Sequence, residues 1–544
     1  MQKEPYCHPE IWGGIECTIN RIGDRYSDQL ASTGHYGRYS DIDLLADLGI
    51  KAMRYPVLWE SHQRERQGAI QWSWAARQLE TLRHRDVTPI VGLLHHGSGP
   101  AFTHLGSPDF ATGLADYARQ VAERFPWVEY YTPVNEPLTT ARFSGLYGIW
   151  YPHHRDPREC MVMLMNQLKA TVLAMRAIRV VNPGAKLIQT EDLAKTHSSP
   201  ELAYQADFEN HRRWLTFDFL HGMVTKTHPL WNYLLSIGID EADLDFFIEN
   251  PCPPDIMGLN YYVTSERFLD TNTGIYPVEK HGGNGIDTYV DTEAVRVCRT
   301  VGILSLLREA WERYKCPMAI TEAHLNCTRE EQLRWIRHIW DECLAARGEG
   351  IDIRAVTAWA LLGACDWDSL LTETNGNYES GAFDISGSVP RITAVGHLVK
   401  GLASGAGCDH PLLSSHGWWQ RHLHAFPSTQ GRLCIIGEKQ DGNCIVQHCL
   451  SRSIPYQRLA YPASEALQYI TEGPHSLPWG IISISTEADE RKVLAAGGRR
   501  LYIPYLDIKI DNNPTSSQLN RTLDLFIDKA LASFYQKRTT YVWK

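Results

Sequence analysis

The stretch VEYYTPVNE, residues 128–136, is a short apolar and aromatic run that ends abruptly in Asn135 and Glu136. On its upstream side lies DFATGLADYARQVAERF (109–125) and downstream MVMLMNQLKATVLAMRAIRVVN (161–182), both with apolar residues at helical spacing. A strand between two helices is one unit of an alternating α/β chain. Seven further runs repeat the pattern: IWGGIE (11–16), IKAMRYPVLW (50–59), TPIVGLLHH (88–96), AKLIQTED (185–192), DIMGLNYY (255–262), MAITEAH (318–324) and IRAVTAWALLG (353–363). A third clear helix is expected at REEQLRWIRHIWDECLAAR (329–347). Near-continuous apolar strands separated by helices pair in parallel with both faces covered. Eight such units suggest a (β/α)8 TIM barrel, with a doubly wound open sheet as the structural alternative.

A barrel makes a demand that an open sheet does not. Reactive side chains should gather at the C-terminal ends of the strands, because that rim carries the site. The strand ends hold Glu16, Arg54 with Trp59, His95 and His96, Asn135 and Glu136, Asn260 with Tyr262, Glu322, and Trp359. Packing alone does not put polar groups there.

The length fits this reading. The chain has 544 residues, enough for one barrel of roughly 250 residues or more and a smaller unit. Between 403 and 430, Gly, Ser, Pro and His occur without periodicity, so 404–430 is expected to be a linker after a barrel spanning 1–403. Residues 431–544 then read as a small Rossmann-like α/β domain. It has strands at RLCIIG (432–437), PWGIISIS (478–485) and RRLYIPY (499–505), and helices at NCIVQHCLSRS (443–453) and TSSQLNRTLDLFIDKALASFYQ (515–536).

Composition removes several classes. A formal net charge of −10 gives no basic face for nucleic acid. No run of about 18 apolar residues offers a membrane span. The N-terminus MQKEPYCHPEIWGG lacks a basic region followed by an apolar one, so a cytoplasmic protein is expected. The 13 Cys are an odd number without any C-x-x-C pair, which argues for reduced thiols rather than a disulfide framework or a zinc site. No cofactor and no metal are expected. A homo-oligomer is compatible with the composition.

Two carboxyls across a scissile bond are what glycosidic hydrolysis needs: one protonated, one able to attack or to activate water. Glu136 and Glu322 end the fourth and seventh strands and would face each other across a closed barrel. Each candidate also has a plainer reading. Glu322 could cap a helix, Arg54 could be a structural ion pair, and Asp366 and Trp367 could be loop residues. His95 and His96 could be a metal pair, but no third ligand stands at metal spacing.

HYGRYSDIDLLADLGIKAMRYPVLW (35–59), TPVNEP (132–137), GLNYY (258–262), AITEAH (319–324) and WALLGACDW (359–367) resemble, in order, the motifs of glycoside hydrolase family 1, the β-glucosidase family. The resemblance covers residues 10 to about 400. It implies a retaining mechanism with Glu136 as acid/base and Glu322 as nucleophile, their carboxyls about 5–5.5 Å apart. Asn135 would hold the sugar 2-hydroxyl, Arg54 would keep Glu322 ionised, and Tyr262 would hydrogen-bond it. His95 would bind the sugar, which would rest on Trp359. The substrate would be a small glycoside or oligosaccharide.

The pattern is edited where the family grips its sugar. Asn20 stands for a glutamine, His95-His96 for His-Trp, and Thr321-Glu322-Ala323-His324 for Thr-Glu-Asn-Gly. Asp366 replaces the glutamate that contacts the sugar's 4- and 6-hydroxyls, with Trp367 after it. A site built around one hydroxyl pattern rejects another strongly. Altered sugar specificity is therefore expected. A transglycosidase would use the same residues, and a catalytically inactive sugar-binding scaffold is the non-enzymatic alternative. The tail faintly resembles the start of dTDP-4-dehydrorhamnose reductase-type sugar-nucleotide-binding domains. It keeps only Gly437 and Gly442 and places Glu438 and Asp441 where phosphate would sit, which fits a degenerate remnant better than a working nucleotide site.

Overall fold

The computed structural model describes residues 8–276 and 278–420, then 432–437, 443–451, 456–459, 463–472, 478–484, 488–500 and 503–508, with a few single positions up to 530. Eight parallel strands close into a barrel: β1 (Glu10–Gly14), β2 (Ala52–Pro56), β3 (Thr88–Gly92), β4 (Tyr130–Thr132), β5 (Lys186–Asp192), β6 (Ile256–Asn260), β7 (Met318–Ala323) and β8 (Ile353–Ala358). Each pairs with its neighbours in sequence order, and β8 returns to β1. All eight expected strands are present. The open-sheet alternative is excluded by the closure.

The base of the barrel shows why these runs are apolar. Trp12, Ala52, Ile90, Tyr130, Ile188, Ile256, Ala319 and Ala355, one from each strand, pack together inside. Large side chains such as Trp12 and Tyr130 share the space with Ala52, Ala319 and Ala355, so the base is a packed core rather than a pore. Helices form the outer ring. In Phe110–Arg124 the buried residues are Phe110, Ala111, Leu114, Tyr117, Ala118, Val121 and Ala122, a single stripe at helical period. Pro157–Val181 begins with Pro at its first position, and the Asp156 side chain accepts from the backbone N–H of Arg158 and Glu159.

Most strands are shorter than their apolar runs, and β4 shows the reason. Pro133 has no N–H to give, so the ladder stops at Thr132. Pairing resumes only as single bridges, His95 with Asn135 and Asn135 with Thr190. The rim is thus held in strand-like register without continuous strands. Close packing at the rim also needs glycine. A Cβ on Gly14 would lie 2.4 Å from the Trp359 ring.

The chain also builds structure that its periodicity did not announce. Lys195–Ser198, Glu266–Asp270, Thr288–Glu293 and Gly282–Gly283 form a four-stranded sheet in the excursions after β5 and β6. Residues 404–420, expected to be linker, are docked: Trp418 and Trp419 are buried, and Trp419 meets Trp335 edge-on at 4.9 Å. The rest of that stretch, 421–430, lies outside the described residues.

Beyond 431 a second parallel sheet has the order β10 (Tyr456–Leu459), β9 (Leu433–Ile436), β11 (Gly480–Ser483), β12 (Tyr505–Asp507). Alternate residues feed two apolar clusters: Leu433 and Ile435 on one face, Cys434 and Ile436 on the other. Helices Asn443–Ser451, Ala463–Glu472 and Ala488–Arg500 connect the strands. RRLYIPY was expected as a strand, but Arg499 and Arg500 finish a helix and the strand starts at Tyr505. Most of the expected helix 515–536, with Glu438, Asp441 and Gly442, lies outside the described residues. None of the eleven cysteines whose side chains are described, from Cys17 to Cys449, forms a disulfide, and no described group of His, Cys, Asp and Glu is arranged to hold a metal ion. No described helix is long and apolar enough to cross a membrane.

Gly14→Ala forces a methyl group into Trp359. It should destabilise the protein by about 1–3 kcal/mol, the range for overpacking. Thermal denaturation checks this, and an unchanged midpoint would refute the close-approach argument.

Candidate active site

Arg54, on β2, reaches into the barrel mouth with 6% of its surface exposed. Its Nη1 donates to the Thr321 carbonyl at 2.9 Å and to Glu322 Oε1 at 2.6 Å. Its Nη2 donates to Asn135 Oδ1 at 2.6 Å. One guanidinium thus joins β7 to the segment after β4. The fork geometry explains why arginine rather than lysine can satisfy three acceptors at once.

Glu322 is buried near the end of β7. Its Oε1 takes the Arg54 bond, and its Oε2 accepts from the Tyr262 hydroxyl. Burial pushes its carboxyl above the usual range, while the Arg54 charge and the Tyr262 bond oppose that push. Glu136 has no such counter-charge. Its Oε1 accepts from Asn260 Nδ2 at 2.5 Å. Burial raises its carboxyl well above the ordinary range, and the charges of Glu322, Asp192 and Glu191 add to the effect. The two carboxyls therefore sit in unlike settings, one clamped by a cation and one bonded to an amide.

Glu136 stands in the left-handed backbone region, with φ +43°, immediately before the short helix Pro137–Ala141. Glu191, at the end of β5, holds that helix start. Its Oε2 accepts from Leu138 N at 2.8 Å and from the Thr216 hydroxyl at 2.7 Å, and its Oε1 from the Thr139 hydroxyl at 3.1 Å. Such a carboxylate satisfies N–H groups that a helix start leaves open. The neighbouring Asp192 accepts from Ser265, and burial pushes its carboxyl up to about 7.

Asn135 has a fixed orientation. Its Oδ1 accepts from Arg54 and, at 2.8 Å, from the Thr190 hydroxyl. Its Nδ2 must then face His95 Nε2 at 3.4 Å and His96 Nε2 at 3.3 Å. His95 stacks on Trp359 with centroids 5.4 Å apart and planes 10° apart. The Arg54 guanidinium carbon lies 4.5 Å from the Trp359 ring. His96 packs near Trp150 at 5.4 Å and Trp367 at 5.7 Å.

The structure thus brings together Glu136, Glu322, Arg54, Asn135, Tyr262, His95, His96, Trp359 and Trp367. Asn20 is buried on the hairpin strand Ile19–Ile22, and its Nδ2 has no hydrogen-bond partner. Asp366 is engaged with its own loop. Its Oδ1 accepts from the backbone N–H of Asn375 at 3.2 Å and Asn377 at 2.8 Å. Four site residues had been given no role from the sequence: Glu16 and Asn260 stood among the strand-end residues without one, and Glu191 and Asp192 were not singled out. Glu16 accepts from Trp359 Nε1 at 3.3 Å and is pushed up by burial. Glu191 and Asp192 close β5, and Asn260 closes β6. The signal was available: all four lie at or just beyond strand C-termini, where the barrel rule points.

The family model described as Glycosyl hydrolase family 1 matches residues 9–378. Among curated proteins, Beta-glucosidase A of Thermotoga maritima is 29% identical over 177 residues, 31% of this chain and 40% of that protein. The chain thus spans about two fifths of the length of that relative. An aryl-phospho-beta-D-glucosidase of Bacillus subtilis is 21% identical over 403 residues, 66% of this chain and 83% of its own. Among solved structures, a family 1 β-glucosidase from Thermotoga maritima superposes with a TM-score of 0.60 at 20% identity, over 75% of this chain and 100% of that one. With more than half of its length matched on a closed barrel of the same architecture, the chain belongs to glycosyl hydrolase family 1 and is β-glucosidase-like.

Proposed function

We propose that the protein is a retaining β-glycoside hydrolase with Glu136 as acid/base and Glu322 as nucleophile. The observation that carries this is the asymmetry of the two buried carboxyls. Glu322 is bonded to Arg54 and Tyr262, which favours the ionised form. Glu136 is bonded to an amide and surrounded by acids, which favours the protonated form. Pairs of carboxyls driven apart in this way divide into nucleophile and acid.

In the first step Glu322 attacks the anomeric carbon while Glu136 gives its proton to the departing oxygen. In the second, ionised Glu136 takes a proton from water, and that oxygen displaces Glu322 from the anomeric carbon. Microscopic reversibility lets one residue serve both steps. Tyr262 and Arg54 take over the charge on Glu322 each time the glycosyl bond breaks.

The substrate is a small β-glycoside whose sugar is gripped differently from the family pattern. Asn20 Nδ2 and Trp367 Nε1 are buried donors without protein partners, which suits them to sugar hydroxyls. Asp366 gives an oxygen to its loop instead. The barrel to residue 403 is read as the catalytic unit. The α/β unit from 431 is read as a degenerate remnant with a packing, association or access role.

Hydrolysis of a panel of aryl β-glycosides tests the reading. A 2-deoxy-2-fluoro glycoside should leave a covalent adduct on Glu322, seen by peptide mass spectrometry. Glu322→Gln should lower turnover by at least about 10³-fold, and unchanged turnover would sink the assignment. Activity against pH should be bell-shaped. The acid limb reports ionisation of Glu322. The basic limb reports loss of the Glu136 proton and should lie above the ordinary carboxylate range. Arg54→Met removes the cation that holds Glu322 ionised. It should cost roughly 100-fold or more in kcat/KM and move the acid limb to higher pH. An acid limb that stays in place would show that Arg54 does not govern the nucleophile.

A further inference from the structure

His96 Nε2 lies 3.7 Å from Glu136 Oε2, and the surrounding bonds decide which way that contact runs. Asn135 presents Nδ2, a donor, to His96 Nε2, because its Oδ1 is committed to Arg54 and Thr190. His96 Nε2 must therefore carry its lone pair. The ring proton is then on Nδ1, which donates to the Thr140 hydroxyl at 3.0 Å. The ring is neutral: burial pushes it down to about 3, and the Arg54 charge acts in the same direction. A neutral acceptor beside a carboxyl favours the protonated carboxyl. On the other side, Asn260 already donates to Oε1, so Oε2 is the oxygen left to carry the proton. The remaining groups facing Glu136 are Glu322 from β7, Asp192 and Glu191 from β5, and Tyr262 beyond β6. Among the described residues no ion pair links a lysine or arginine to Glu136. Tryptophan, which the family pattern has at position 96, could donate but not accept.

We propose that His96 is the positioning residue for the acid: its Nε2 lone pair, shared with the long contact to Asn135 Nδ2 at 3.3 Å, accepts the O–H of protonated Glu136 and holds the proton on Oε2 until the departing oxygen takes it. This rests on reading Glu136 as the acid/base. A distance of 3.7 Å is longer than a formed hydrogen bond, and such contacts in free enzymes tighten when substrate fills the site. The backbone is shaped for it. Both His96 (φ +54°) and Glu136 (φ +43°) lie in the left-handed region, a cost that persists where the surrounding structure imposes it.

The test is a leaving-group series measured as kcat/KM with two aryl β-glycosides of the sugar that the enzyme turns over. A 2,4-dinitrophenyl glycoside departs without acid help, whereas a phenyl glycoside needs it. Glu136→Ala sets the reference, and its loss on phenyl should exceed its loss on dinitrophenyl by about 10²-fold or more. His96→Phe should show the same imbalance at about 10-fold, and His96→Gln, which restores an acceptor, should reduce it. If His96→Phe lowers both substrates equally, or lowers neither, His96 does not position the acid even though Glu136 remains one. If Glu136→Ala itself loses both substrates equally, the acid/base assignment fails and this inference falls with it. Where both His96 variants fail to fold, Thr140→Val, which removes the acceptor of the Nδ1–H, decides: a loss on phenyl exceeding that on dinitrophenyl supports the proposal, and equal losses overturn it.

Discussion

The bond from Arg54 to Glu322 is the constraint on which the rest of the barrel mouth depends. Taking a carboxylate out of water is expensive, and a buried pair survives only if geometry and additional hydrogen bonds are good. Arg54 meets that condition by bonding Glu322, the Thr321 carbonyl and Asn135 together. The consequences run outward. Asn135 is oriented by Arg54, and Asn135 in turn fixes the tautomers of His95 and His96. Glu16, Glu136 and Glu191 are buried around the same mouth with Asp192 half-buried beside them, and removal from water raises each of them. They cannot all ionise together. A single well-held positive charge selects which carboxyl does.

The scaffold keeps that selection stable by tying the rim to the base. One side chain from each of eight strands fills the bottom of the barrel, so no strand can shift without disturbing the others. At the rim, the ladder is replaced by single bridges linking His95, Asn135 and Thr190. His95, His96, Asn135 and Glu136 thus lie just beyond their strands, where backbone is free to adopt conformations such as those of His96 and Glu136 but is still anchored, while Arg54 and Glu322 stay within theirs.

Much of this was legible in the sequence. The eight apolar runs alternate with helical stripes, and that alternation depends only on local periodicity. Glu136 and Glu322 were legible because both end such runs. The side sheet was not, since Glu266–Asp270 and Lys195–Ser198 are polar and partly exposed. The second sheet's edge strand, Tyr456–Leu459, was missed for a similar reason: YQRL is half-buried and makes sense only beside Leu433–Ile436. Glu191 and Asp192 were within reach of the strand-end rule, but their role is supportive and has no motif. Asp366 marks the limit. A sequence shows that a carboxylate is present, not which way it faces.

The direction that Asp366 takes has an evolutionary consequence. Its carboxylate pins the turn at Asn375–Asn377, so the side chain that would read a sugar is also a structural pin of its loop. Exchanging that residue alone would release the loop as well as alter recognition. Divergence in this branch is expected to proceed by replacing residues 366–377 as a block rather than by single changes within them.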